Sequence, residues 1–148
     1  MACANTDAAN SAAVGDTVAV ELIRAAQLSH IADSLARTTR TGHTIGAHPT
    51  FQYLEVRRAS NGVAEVHDRW IDVMFVQSGK GTWLIGGHVR GSYVESPGEH
   101  RGGTIVGASP HPVASGDLLI IPSGTPHQLL LSRGDSLRYI TVKVVSSR

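Results

Sequence analysis

The stretch from Gly116 to His127, "GDLLIIPSGTPH", constrains the fold most. Four apolar residues, Leu118 to Ile121, run into Pro122, Gly124 and Pro126, and the chain turns apolar again just after His127. A run that short, bounded by turn residues, suits a buried strand better than a helix. The same texture recurs from Phe51 onward, with short segments rich in Val, Ile, Leu and aromatics between Gly, Pro, Asn and Ser. The spacing predicts strands over 51–58, 62–67, 71–77, 81–86, 104–107, 117–121, 127–132 and 137–145. Hairpin-type turns are expected at "SNG" (60–62) and "SGKG" (78–81). Many short strands without intervening helices make an all-β antiparallel sandwich or barrel.

Upstream of Phe51 the texture differs. Residues 1–17 are small and polar and read as a flexible tail; they lack the basic start and long apolar run of a signal peptide. Residues 18–24 suit a short strand or a linker. Over 26–38, Leu28, Ile31, Ala32 and Leu35 recur at helical spacing, and Ser29 is a candidate cap. A helix that short needs a surface to pack on, so the segment 18–50 is expected to lie against the barrel domain, 51–148. Residues 39–50, with Gly42, Gly46 and Pro49, read as loop. Residues 86–103 are glycine-rich and polar, and read as a long functional or mobile loop.

Bulk numbers narrow the classes. The 148 residues carry a net charge of +1, with 41% apolar and 17% charged residues. That suits one globular domain and argues against a nucleic-acid partner held through phosphates. No apolar run approaches the ~20 residues that span a bilayer, so no membrane partner is expected. Cys3, the single cysteine, excludes an internal disulfide and a cysteine-based zinc site, and cytoplasmic residence fits.

Strand alternation then sorts the polar residues. Glu65 and His67 share a face with Val63, roughly 7 Å apart at the usual rise per residue. If "DRWI" is a tight connection, Asp72 returns beside His67 on a strand whose face also holds Met74 and Val76. Past the Pro122–Gly124 corner, His127 shares a face with Leu129 and Leu131. Two carboxylates and two imidazoles inside an apolar barrel are costly unless a divalent cation neutralises them. Imidazole plus carboxylate is the donor set of Zn, Fe, Mn, Co and Ni sites.

These segments resemble the two motifs of the cupin superfamily. "G116-x5-P122-x-G124-xx-H127" matches the second motif at every glycine, proline and histidine position. "E65-x-H67-xxxx-D72-xxxxxx-G79" is similar to the first motif, His-x-His, three or four residues, Glu, six residues, Gly; Glu65 replaces the first His and Asp72 the Glu. The resemblance covers roughly residues 51–145. It implies a jelly-roll β-barrel of a kind that is often dimeric, so a homodimer is expected, with the one short N-terminal helix read above packed on it. It also implies one divalent transition metal on Glu65, His67, Asp72 and His127, with Asp72 as ligand or catalytic base.

The same residues admit plainer readings. Glu65 and His67 could form a hydrogen-bonded pair in a polar barrel mouth, and His127 could bond a backbone carbonyl. Tyr53, Glu55 and Arg57 share a strand face; Tyr53 and Arg57 could orient an anionic or carbonyl substrate, or Glu55 and Arg57 could pair at the surface. Glu99, His100 and Arg101 could belong to a substrate-binding lid or to a solvated loop. Trp70 reads as a packing residue. His30, His43, His48, His88 and His111 read as ordinary polar residues. Three functions remain open. One is a metal-dependent dioxygenase, isomerase or cyclase acting on a small carbonyl or phenolic compound. The others are a non-catalytic small-ligand module and a metal-free isomerase using His67 or His127 as base.

Overall fold

A computed structural model describes residues 19–147, so the expected tail and Cys3 lie outside the described residues. One helix, α1 (Ala25–Ala36), precedes twelve strands: β1 (Gly42–Ala47), β2 (Phe51–Arg58), β3 (Glu65–His67), β4 (Trp70–Ile85), β5 (His88–Arg90), β6 (Tyr93–Ser96), β7 (Glu99–Arg101), β8 (Thr104–Val106), β9 (Ser109–Ala114), β10 (Leu118–Ile121), β11 (His127–Leu130) and β12 (Leu137–Val145). All pairings are antiparallel.

The sixteen-residue β4 organises the molecule. Its first half lies between β10 and β12, in a sheet ordered β1-β2-β12-β4-β10. Its second half lies between β9 and β11, in a sheet ordered β9-β4-β11-β3-β7-β6. The expected hairpin at 78–81 is therefore corrected: the chain does not reverse there but passes from one sheet to the other. Gly79 makes the bend at φ +85°, and a Cβ there would collide with the Ser136 carbonyl. "SNG" is corrected likewise, since β2 and β3 are not paired and the turn carries the chain between sheets.

The sheets close on Val56, Met74, Val76, Trp83, Val113, Ile121, Leu129, Leu137 and Tyr139. Each aliphatic side chain buried there contributes about 1.5–3 kcal/mol. The inward face of β2 carries Leu54, Val56 and Arg58, opposite Tyr139, Thr141 and Lys143 on β12. Tyr53, Glu55 and Arg57 point the other way. The expected Glu55–Arg57 surface pair is corrected: Glu55 is fully buried and accepts from Arg138 Nε at 2.5 Å.

Three further expectations change for physical reasons. Residues 39–50 hold β1, an edge strand whose Gly46 lets the backbone pass against the Tyr53 ring, where a Cβ has no room. The loop expected over 86–103 is largely β5, β6 and β7, with left-handed glycines at the turns between them. Pro110 and Pro112 hide β9, which tolerates them as an edge strand pairing only with β4. Helix α1 packs on β2 and β1, burying Ala32 and Leu35. Its cap is Arg24, whose backbone N–H donates to Gln27 Oε1 at 2.8 Å, and Ser29 lies inside the helix. No described helix is long and apolar enough to cross a membrane.

Candidate metal centre

Both sheets contribute to one polar cluster in the barrel interior. In the second sheet Glu65 faces His127 across β3 and β11, and His67 lies two residues along β3 on the same side. In the first sheet Asp72 faces Lys143 across β4 and β12. The Pro122–Gly124 corner locks the two halves together. Gly124, at φ +73°, donates its N–H to the His67 carbonyl at 2.7 Å, and Gly86 donates to the Pro126 carbonyl at 2.8 Å. The corner thus delivers His127 beside His67, with ring centroids 5.1 Å apart.

Each imidazole has a committed outer nitrogen and a free inner one. His127 Nδ1 donates to the Thr125 carbonyl at 2.9 Å, and His67 Nδ1 donates to Glu99 Oε2 at 2.5 Å. Both Nε2 atoms are buried without an aligned hydrogen-bond partner. His67 Nε2 lies 3.7 Å from Glu65 Oε2 and 3.4 Å from Asp72 Oδ2. His127 Nε2 lies 3.8 and 3.7 Å from the same oxygens. A divalent ion with bonds of about 2.1 Å would set tetrahedral donors roughly 3.4 Å apart, so the cluster has the size of an ion's shell. Glu65, His67 and His127 each offer a donor atom within 4.8 Å of the others and could hold a metal. Two imidazoles, one carboxylate and open positions form a donor set typical of transition-metal sites.

The surrounding charges set protonation. Burial disfavours the His67 imidazolium, yet the Asp72 carboxylate 3.4 Å from Nε2, together with the charge of Glu99, raises its pKa on balance. Burial lowers His127, outweighing its bond to Thr125. Burial also works against the Asp72 carboxylate, but His67 and Lys143 hold its pKa below the ordinary value. Lys143 Nζ sits 2.9 Å from Asp72 Oδ1.

The remaining site residues divide. Arg101 lines the cavity and is committed to Glu65 Oε1 at 3.0 Å and Glu95 Oε2 at 2.5 Å. Tyr53 and Arg57 are not brought to the cavity, because the inward face of β2 is the other one; Tyr53 lies in a groove with Phe51 and Ile23. Sequence reasoning placed Glu99 only in a loop, whereas register on β7 sets it opposite His67. Lys143 was missed. Its signal was alternation along "LRYITVKVV", which puts one lysine on the face of Leu137, Tyr139 and Thr141.

The chain folds as an antiparallel jelly-roll barrel, with both motif segments meeting in its interior. No family model matches the chain, and no curated protein matches it in sequence. Solved structures do match it. Protein NMB1881 from Neisseria meningitidis is 13% identical with a TM-score of 0.57, over 84% of this chain and 99% of that one. BH2720 from Bacillus halodurans is 15% identical with a TM-score of 0.54, over 80% of each chain. A cupin 2 conserved barrel domain protein from Rhodopseudomonas palustris is 22% identical with a TM-score of 0.49, over 72% of this chain and 60% of that one. Identities this low speak to fold alone.

Proposed function

We infer that this chain is a divalent-metal-dependent enzyme acting on a small carbonyl or phenolic compound. The observation that carries the reading is the pair of buried, unpartnered Nε2 atoms set between Glu65 and Asp72, each fixed by an outward Nδ1 bond. Neighbours of this kind orient metal-ligating histidines. When bound, the ion would supply Lewis-acid polarisation of a substrate oxygen, or oxygen chemistry if it is iron.

The protein's own groups have separate tasks. Glu99 holds the proton on His67 Nδ1, leaving Nε2 as a donor. Arg101 steadies Glu65 rather than meeting the substrate. Asp72 serves the centre as a ligand more readily than as a base, because a carboxylate clamped by lysine and imidazole accepts protons poorly. Leu54, Val56, Met74 and Trp83 give the cavity its apolar wall. The cavity is about 170 Å³; one of ~150 Å³ holds a benzene-sized molecule.

The edge strand β10 exposes Leu118 and Ile120 beside Phe75 of β4, which supports pairing with a second copy into a homodimer. Light scattering checks this, and a monomer at working concentration removes it.

The functional test strips the protein of metal and reloads it with Fe(II), Mn(II), Co(II), Ni(II) or Zn(II). Small diketones and phenols are then screened by product mass spectrometry. Turnover that appears only on reloading supports the reading. Tight metal binding with no turnover across the panel leaves a ligand-binding module, and turnover unaffected by chelation leaves a metal-free isomerase.

A further inference from the structure

We propose that the cavity takes a carboxylate-bearing ligand with a small apolar body, and that Lys143 is the residue that selects its charge. This rests on the metal-enzyme reading above and deepens it.

Lys143 occupies a costly place. Its side chain is only 14% exposed, on a strand face that otherwise buries Leu137, Tyr139 and Thr141. An ammonium has three donors, and Nζ meets one charged atom, Asp72 Oδ1, without forming an aligned hydrogen bond. A buried cation left with spare donors is expensive unless something else accepts from it. Arg58 repeats the pattern from β2: it lines the same cavity, and its Nε is buried without a partner.

The charge balance points the same way. Glu65, Asp72 and Glu99 face Lys143, Arg58 and Arg101 around the cavity and the centre. Three carboxylates against three cations leave the protein frame neutral without any ion; Glu95, half exposed, touches only Arg101. A divalent cation therefore makes the interior positive, and an anionic ligand restores neutrality. If Lys143 only supported Asp72, a neutral donor would serve at far lower cost. The rest of the lining, including Leu54, Val56, Met74 and Trp83, suits a compact apolar group.

The test uses the full chain loaded with Co(II). Cobalt content is measured by elemental analysis, and ligand binding by the cobalt absorption spectrum and calorimetry. The probes are isobutyrate and isobutyramide, which share a shape and differ in charge. The wild type is expected to bind isobutyrate about tenfold or more tighter than the amide, as a hydrogen bond to a charged group allows. Lys143→Met should lose that preference at unchanged cobalt content, and Lys143→Arg should keep most of it. Equal binding of acid and amide by cobalt-loaded wild type overturns the proposal and leaves the metal reading intact. So does a Lys143→Met variant that loses its cobalt, since the lysine then serves the ligand set. A wild type that takes up no cobalt overturns the metal reading, and this proposal with it.

Discussion

Replacing Glu99 by glutamine isolates the role of the cross-strand pair between β3 and β7. The substitution keeps shape and one acceptor oxygen but removes the charge bonded to His67 Nδ1 at 2.5 Å. In wild type that carboxylate fixes the tautomer with Nε2 free and raises ligand basicity. Loss of such a partner costs about 10–100-fold in metal affinity, or roughly 1.4–2.8 kcal/mol at tenfold per 1.4 kcal/mol. A glutamine that turns its amide nitrogen toward the ring would force the proton onto Nε2 and push the loss to the upper end. The assay is competition for Zn(II) against a chromophoric chelator at fixed pH, with Glu99→Gln and Glu95→Gln side by side. Glu95 bonds only Arg101 among the described residues, so its variant should stay within about threefold of wild type, below the 10-fold loss of a direct partner. If Glu99→Gln binds zinc as tightly as wild type, Glu99 does not orient a ligand, and His67 is not held as the site requires.

Other consequences concern stability. In the metal-free protein, the raised His67 pKa contributes stability present below the unfolded value near 6.5 and lost as pH rises through the folded pKa. The lowered His127 and Asp72 values act oppositely: each contribution is present above the group's unfolded pKa and lost as pH falls through the folded one. Denaturant midpoints across pH should show His67→Gln flattening the alkaline limb and His127→Gln the mildly acid one; unchanged slopes would remove both assignments. Gly79→Ala forces a non-glycine residue to φ +85° against the Ser136 carbonyl, so it should cost at least the ~1–3 kcal/mol of a strained backbone position; a neutral result in urea unfolding would contradict the sheet-switching bend. Glu55→Gln loses a charged hydrogen bond to Arg138 beneath α1 and should destabilise by about 2 kcal/mol, read in the same assay.

Much of this molecule is legible in the sequence because alternation decides which side chains meet. Glu65 and His67 share a face by period, and the proline–glycine corner turns His127 toward them. What alternation along one strand does not show is which strands are neighbours. Asp72 meets Lys143, and His67 meets Glu99, only through pairings between segments far apart in the chain. The sheet switch at Gly79 was hidden for a related reason: a glycine at a bend within one strand and a glycine in a reversing turn carry the same local signal. The face of β2 was misjudged because Glu55 is buried on the side away from the core, where helix α1 lies against the strand. Local polarity says nothing of such a cover. Strand β9 is missing from the expected set because its prolines are tolerated only at an open edge, a property of the sheet rather than of the segment.

The most direct test is metal stoichiometry in protein purified without a metal column or chelator, stripped and then reloaded, for wild type and His127→Ala. One divalent ion per chain in the wild type and essentially none in the variant is the predicted result, because His127 Nε2 has no other buried partner among the described residues. A wild type that stays empty after reloading, or a variant that retains its ion, would contradict a metal centre built on Glu65, His67 and His127.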